Sequence, residues 1–202
     1  MKTPQGIAWP RVESVKKRKK GWWVIPENNV IPVKNFLPLS IKDRFYSPFS
    51  EEPIISDRCF HRIIPNEEID ELKLSIALNN SVSFLIMEIF GNRNLGLGAL
   101  DFGTDDANKL LILNPDLIEN TIKDRLKYPI VSIFDELGIN STKPIRAQEP
   151  KPLPDRLELD NIIFDELGLT PDERNEVYWD VCELIKQRID KVNSVKKKND
   201  KI

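Results

Sequence analysis

The sequence predicts an α+β fold: a β-rich N-terminal part packed on a central helical hairpin and a Gly-rich loop, followed by a helical C-terminal part. Three observations predict it. Eight of the fifteen prolines fall in residues 1–65 and none in 66–114, so regular helix is disfavoured first and permitted next. Between residues 22 and 64 the apolar residues come in short β-branched and aromatic runs, while from 66 onward they recur at helical spacing. Beyond Pro115 the pattern is helical except for a connector over 140–154 that holds four prolines.

Each element has its own reason. Residues 22–25, 30–33, 35–37, 54–55 and 59–64 read as extended pieces bounded by Pro. A helix starts after Pro65, with Asn66 as its cap and Glu67 and Glu68 against the positive end of the helix dipole. Ile69, Leu72, Ile76 and Ala77 line one face of it. Asn79-Asn80-Ser81 breaks the pattern, and a second helix over 82–90 is apolar nearly all round. Phe84, Leu85, Met87, Ile89 and Phe90 are therefore expected in the core. Residues 91–98, with three glycines, form a loop; 99–102 is a short strand and 110–113 a short apolar piece. Helices follow over 116–126, 130–137, 157–167 and 172–192, the last capped by Thr170 with Pro171 at its first position. Ile133-Phe134-Asp135-Glu136-Leu137-Gly138-Ile139 is echoed thirty residues later by Ile163-Phe164-Asp165-Glu166-Leu167-Gly168-Leu169. The echo reads as two helix ends stopped by Gly, with Ile, Phe and Leu buried. The domain division expected is 1–114, an α+β unit, and 115–202, a helical extension with a Pro-rich connector over 140–154.

Composition excludes several classes. At 40% apolar and 31% charged, 202 residues can bury a real core, so wholesale disorder is not expected. Cys59 and Cys182 cannot build a disulfide framework and suit a reducing, cytoplasmic setting. No run of eighteen apolar residues is present, so neither a membrane span nor membrane partners are expected. One His and two distant Cys argue against a Cys/His zinc site, and no metal ligand set is assigned. Charge is unevenly spread: 12 Lys/Arg against 6 Asp/Glu over 1–65, 13 against 25 over 66–190, and 5 against 1 over 191–202. The densest run, Lys16-Lys17-Arg18-Lys19-Lys20, leads into Trp22 and Trp23. Cations beside aromatics can neutralise phosphates and stack on bases or sugars; a solvated run entering a buried strand is the structural alternative.

Catalytic patterns are not found. The glycine loop lacks the Lys-Ser/Thr that a Walker loop needs, and it follows a helix rather than a strand, unlike a dinucleotide fingerprint. Asn114-Pro115-Asp116-Leu117 lacks the second Pro and the aromatic of an amino-methyltransferase base loop. Asp57 with Glu71 and Lys73 is a loose nuclease match, spoiled because positions i and i+2 of a helix face different sides. No catalytic residue is assigned.

The order of motifs carries more than any one of them. The basic run ending in Trp22-Trp23 is followed by Asp43-Arg44-Phe45, then by Ala77-Leu78-Asn79-Asn80-Ser81. Next comes Glu88-Ile89-Phe90-Gly91-Asn92-Arg93-Asn94-Leu95-Gly96-Leu97-Gly98-Ala99-Leu100, then Asp105 or Asp106, then Leu113-Asn114-Pro115. This order, together with the tail over 159–170, resembles the C-terminal target-recognition (specificity) region of adenine-specific DNA methyltransferases of prokaryotic restriction–modification systems. Asn79 departs from the family, which usually has an apolar residue there. The catalytic and methyl-donor motifs are missing, and the chain starts where a recognition region would start. It is therefore expected to be a separated specificity half, a remnant or a cut fragment of such an enzyme.

The resemblance implies a module that binds double-stranded DNA without catalytic power. Lys16, Lys17, Arg18, Lys19, Lys20 and Arg44 would contact phosphate and sugar, and Trp22 and Trp23 would stack. Asn92, Arg93 and Asn94 would reach base edges from a loop whose Gly96 and Gly98 let the backbone approach closely. The alternative for the loop is a tight turn whose glycines let helix and strand pack. S-adenosylmethionine, with the N6 methylation chemistry, is expected only in a partner catalytic domain or subunit, and no cofactor in this chain. The competing function is a protein-interaction subunit that docks on a methyltransferase or restriction subunit.

Overall fold

The structure is a computed structural model that describes residues 31–65, 68–93, 98–118 and 129–199. The expected basic run Lys16–Lys20 with Trp22 and Trp23, the cap Asn66, the loop residues Asn94 and Gly96, and most of the helix expected over 116–126 lie outside those residues. The chain divides into two compact units, Met1–Pro32 and Val33–Ile202, and the elements below belong to the second.

The fold is α+β. Strand β1 (Val33–Pro38) is the middle of a three-stranded antiparallel sheet, flanked by β3 (Phe49–Ile54) and β4 (Phe60–Ile63). Its central place explains its burial on both faces: Val33, Phe36 and Leu37 are covered, and Asn35 is tolerated inside because its amide donates to Glu71. A two-stranded ribbon joins β2 (Ser40–Ile41) to β5 (Leu100–Asp101), with Ile41 opposite Leu100.

Helix α1 (Glu71–Leu78) begins at Asp70, not at Asn66. The reason is local: the Asp70 carboxylate accepts from the amides of Leu72 at 2.9 Å and Lys73 at 3.2 Å, a ready-made cap four residues on. The expected break at Asn79-Asn80-Ser81 is present, and helix α2 (Ser81–Phe90) leaves it at 62° to α1. Asn80 caps α2 by accepting from the Ser83 amide at 3.0 Å.

Burial along α2 corrects the expectation that it is covered all round. Phe84 and Met87 are in the core and Leu85 is half-buried, but Ile89 and Phe90 are 57% and 49% exposed. The helix buries one stripe, through Ser81, Phe84, Met87 and Glu88, and 100° per residue carries positions 89 and 90 off that stripe in the last turn. A charged residue, Glu88, takes the core position that hydrophobicity alone would give to Ile89 or Phe90.

The 110–113 piece has no regular secondary structure. Helix α3 (Thr104–Ala107) precedes it, and Pro115–Leu117 is a single 3-10 turn at the start of the expected 116–126 helix. Helix α4 (Ile133–Glu136) is shorter than expected, whereas α5 (Pro154–Glu166) and α6 (Pro171–Asn199) are longer. Thr170 and Glu173 form a reciprocal cap on α6: Glu173 accepts from the Thr170 amide at 2.8 Å, and the Thr170 hydroxyl accepts from the Glu173 amide. The echoed helix ends share one stop. Gly138 and Gly168 take φ of 63° and 66°, and Ile139 and Leu169 each donate to the carbonyl five residues back, on Phe134 and Phe164. Leu167 departs from the expected burial and is 44% exposed.

The Pro-rich connector is pinned rather than loose. Lys151 and Leu153 donate to the carbonyls of Leu137 and Glu136, and the Trp179 indole donates to Gln148. One core runs from Leu37, Phe45 and Phe84 through Phe102 and Ile133 to Phe164, Tyr178 and Ile185. A smaller one joins Ile76 and Ala77 to Leu159 and Ile163. Among the described residues no single helix is long and apolar enough to cross a membrane.

Candidate nucleic-acid interface

Three segments meet on one buried guanidinium. Arg188 lies on the core stripe of α6 with Val181 and Ile185. It grips Glu88 with both arms, Nη2 to Oε1 at 2.5 Å and Nε to Oε2 at 3.2 Å. Nη2 also donates to the Lys42 carbonyl at 2.7 Å, and Nη1 donates to the Gly98 carbonyl. The end of β2, the C-terminal turn of α2 and the exit of the glycine loop are thus tied to one side chain. Burial pushes the Glu88 carboxyl up, while Arg188 and Arg93 pull it back.

Arg44 projects from backbone that is fixed on both sides. The preceding Asp43 carbonyl accepts from the Ile133 amide at 2.7 Å, and the following Phe45 stacks on Phe84 at 4.6 Å between centroids. Arg44 itself is exposed, as is Lys42. On the facing segment, Asn92 exchanges both backbone hydrogen bonds with Asp101, extending the β2–β5 ribbon by one bridge, and the residue is exposed. Arg93 is half-buried: Nε and Nη2 donate to the Glu88 carbonyl, at 3.1 and 2.5 Å, capping the negative end of α2.

Gly91 and Gly98 serve packing. A Cβ on Gly91 would sit 2.7 Å from Leu100 Cγ, so the bare backbone lets α2 lie on β5. Gly98 has φ of 71° and passes close to α6, where a Cβ would lie 3.5 Å from Ile189 Cα. Of the residues the sequence nominated, the structure therefore brings together Arg44, Asn92, Arg93 and Gly98; the remainder lie outside the described residues.

The Asn79-Asn80-Ser81 turn is wired into a buried polar cluster. Asn79, the departure from the family pattern, clasps the backbone of Ser47 by accepting from its amide and donating to its carbonyl, each at 2.8 Å. An apolar side chain could do neither. Asp160 accepts from the Ser81 amide at 2.7 Å and hydroxyl at 2.6 Å. Arg156 donates to Glu136 at 2.7 Å and to the Asn79 carbonyl at 2.6 Å, with its guanidinium 5.0 Å from the Phe84 ring centroid. Burial opposes the charge on Arg156, but Asp160 and Glu136 outweigh it; burial pushes Asp160 up. Burial and neighbouring Asp160 push the Tyr178 phenol up as well, so it stays protonated.

Sequence reasoning missed Glu88, Arg156, Asp160 and Arg188. The available signal was spacing: Arg188 follows Val181 and Ile185 at seven and three residues, and Glu88 follows Phe84 at four. A charge on an apolar stripe asks for a buried partner.

A separate cleft of about 520 Å³ lies along β4, lined by Phe60, His61 and Ile63, by Leu74 and Leu78 of α1, and by Thr104 and Asn108. His61 is held by its Nε2 against the Phe102 carbonyl at 2.6 Å. Among the described residues no group of three or more His, Cys, Asp or Glu could hold a metal ion. No protein-family model, no curated protein and no solved structure matches the chain.

Proposed function

We propose that the chain is a DNA-binding target-recognition module of a restriction–modification adenine methyltransferase, with methyl transfer supplied by a partner catalytic domain or subunit. The observation that supports this most is the Arg188 clamp. It ties the Lys42 carbonyl, next to Asp43-Arg44-Phe45, to Glu88 and Gly98, which lie before and at the end of the glycine-rich block, and the family resemblance names those as separate motifs. Arg44 would meet phosphate, where a flexible cation of any geometry suffices. Asn92 would stand beside base edges, and Arg93, held by Nε and Nη2 on the Glu88 carbonyl, would reach the DNA from the same turn. In that reading the buried charges set rigidity, and the exposed ones supply the DNA contact.

The test is fluorescence anisotropy of the full chain against a mixed-sequence DNA duplex across a salt series. Binding that weakens steeply with salt, and weakens further in Arg44→Gln, is the expected result. Absence of binding at low salt, both alone and after fusion to a methyltransferase catalytic domain, would overturn the reading in favour of a protein-docking subunit.

A further inference from the structure

We infer that the cleft along β4 is a nucleobase-binding site; the choice of a base as its ligand rests on the DNA-binding reading above. The cleft holds about 520 Å³, within the ~300–1,000 Å³ of small-molecule sites. Its walls are β4, an outer strand of the sheet, and residues of α1 and the end of α3. Leu37, Leu74 and Leu78 are buried and give it an apolar floor. Phe60 adds an aromatic wall, held by edge contacts to Phe36 and Tyr46 with centroids 6.3 and 6.4 Å away. His61 and the exposed Asn108 supply hydrogen-bonding groups. The Phe102 carbonyl, 2.6 Å from His61 Nε2, can only accept, so Nε2 carries the proton and Nδ1 of the neutral ring is an acceptor. The Asn108 amide both donates and accepts.

This lining selects among ligands. None of the described lining residues is a carboxylate, so a cationic ligand finds no counter-ion there. A wholly apolar ligand would cover His61 and Asn108 and leave their polar atoms without water or partner. A flat heterocycle, apolar on its faces with donors and acceptors on its edge, meets both demands, and a nucleobase is such a ring. Arg62, also on the wall, suits the phosphate that accompanies a base in DNA. The cleft's place in the fold points the same way. Leu39 donates to the Cys59 carbonyl just before β4 and accepts from the Phe102 amide just after β5, which stitches β4 to the β2–β5 ribbon. Asn92 extends that ribbon through its bridge to Asp101. The cleft thus borders the ribbon that carries a candidate DNA contact. An unpaired base enters a pocket at the least cost, because no base pair has to be broken first.

His61 is the only histidine of the chain, so its imidazole protons give an unambiguous NMR signal from the cleft wall. The untagged full chain is titrated with each of the four deoxynucleosides, then with a fully paired duplex and with one carrying a single bulged base. The expected result is a saturable shift of the His61 signal by at least one nucleoside, weakened about tenfold in Asn108→Leu. Lys109→Gln, an exposed neighbour outside the lining, should leave it unchanged. If the bulged duplex shifts His61 at lower concentration than the paired one, the base comes from DNA; if only nucleosides shift it, the site serves free nucleosides. Either result supports the base site. A His61 signal that no nucleoside and no bulged duplex moves overturns the inference, and so does a shift that keeps full affinity in Asn108→Leu. Anisotropy of the paired duplex against salt separates the two readings. Salt-dependent binding with an unmoved His61 signal sinks this inference alone, whereas a nucleoside shift without duplex binding sinks the DNA reading alone.

Discussion

At Phe84 and Phe90, six residues apart on α2, the same ring has opposite weight. Phe84 is 1% exposed and stacks on Phe45, so Phe84→Ala is expected to cost about 3–5 kcal/mol in urea unfolding. Phe90→Ala should cost clearly less, about 1–2 kcal/mol, since half of that side chain already faces water. The two echoed glycines differ in the same way. Around Gly168 nothing lies within 4 Å of an added Cβ, so Gly168→Ala should cost only the left-handed backbone term, about 1–2 kcal/mol. At Gly138 the added Cβ would lie 2.4 Å from the Lys151 carbonyl oxygen, so Gly138→Ala should cost clearly more and loosen the connector. Cys182 gives a pH-dependent observable. It is fully buried, and burial first, then Glu183, pushes its thiol from 9.0 up to about 12. A thiol whose folded pKa is raised contributes stability that is complete below about pH 9 and is lost as pH rises toward 12. Thiol labelling of the native chain at pH 8 should modify exposed Cys59 alone, with Cys182 reacting only on unfolding.

Among the elements, α2 and α6 are held by a buried ion pair rather than by apolar packing alone. Arg188→Met strands a buried carboxylate and leaves the Lys42 and Gly98 carbonyls without that donor, for an expected loss of about 3–5 kcal/mol. Removing both charges, Glu88→Leu with Arg188→Leu, should cost less than the sum of the single changes in a double-mutant cycle. Strict additivity would show that the pair is not coupled. The contrast explains what is legible in the sequence. The Asn79-Asn80-Ser81 break, Thr170-Pro171 and the two glycine stops act through local backbone chemistry, so their elements can be read from neighbours in sequence. The start of α1 differs from expectation because the Asp70 carboxylate, which the sequence reading passed over, makes the cap hydrogen bonds. Glu88 and Arg188 are one hundred residues apart, and no local pattern pairs them. The same holds for Asp160 with Ser81 and for Arg156 with Asn79.

For the whole molecule, the sheet and helices form a frame in which charged and polar residues divide into two roles. Glu88, Glu136, Arg156, Asp160 and Arg188 are inside and fix geometry; Lys42, Arg44 and Asn92 are outside at the edge of that geometry. The sequence nominates Arg44, Asn92 and Arg93 as neighbours of glycine and aromatic anchors, but their meeting place depends on Arg188, which no motif contains. If the rim is the DNA-contacting surface, then breaking the clamp while keeping the exposed cations should uncouple folding from recognition. Arg188→Lys retains one charge but loses the two-armed grip on Glu88 and cannot hold both carbonyls in the same plane. The most direct measurement is the anisotropy salt series for wild type, Arg44→Gln and Arg188→Lys, each first shown to be folded by its cooperative urea transition. The expected result is steep salt-dependent binding by the wild type, a slope flattened by about 0.9 in Arg44→Gln, and weaker binding at unchanged net charge in folded Arg188→Lys. Wild-type affinity in both variants would contradict the DNA-binding reading of the rim, because the surface built by Arg188 would then have no part in holding DNA.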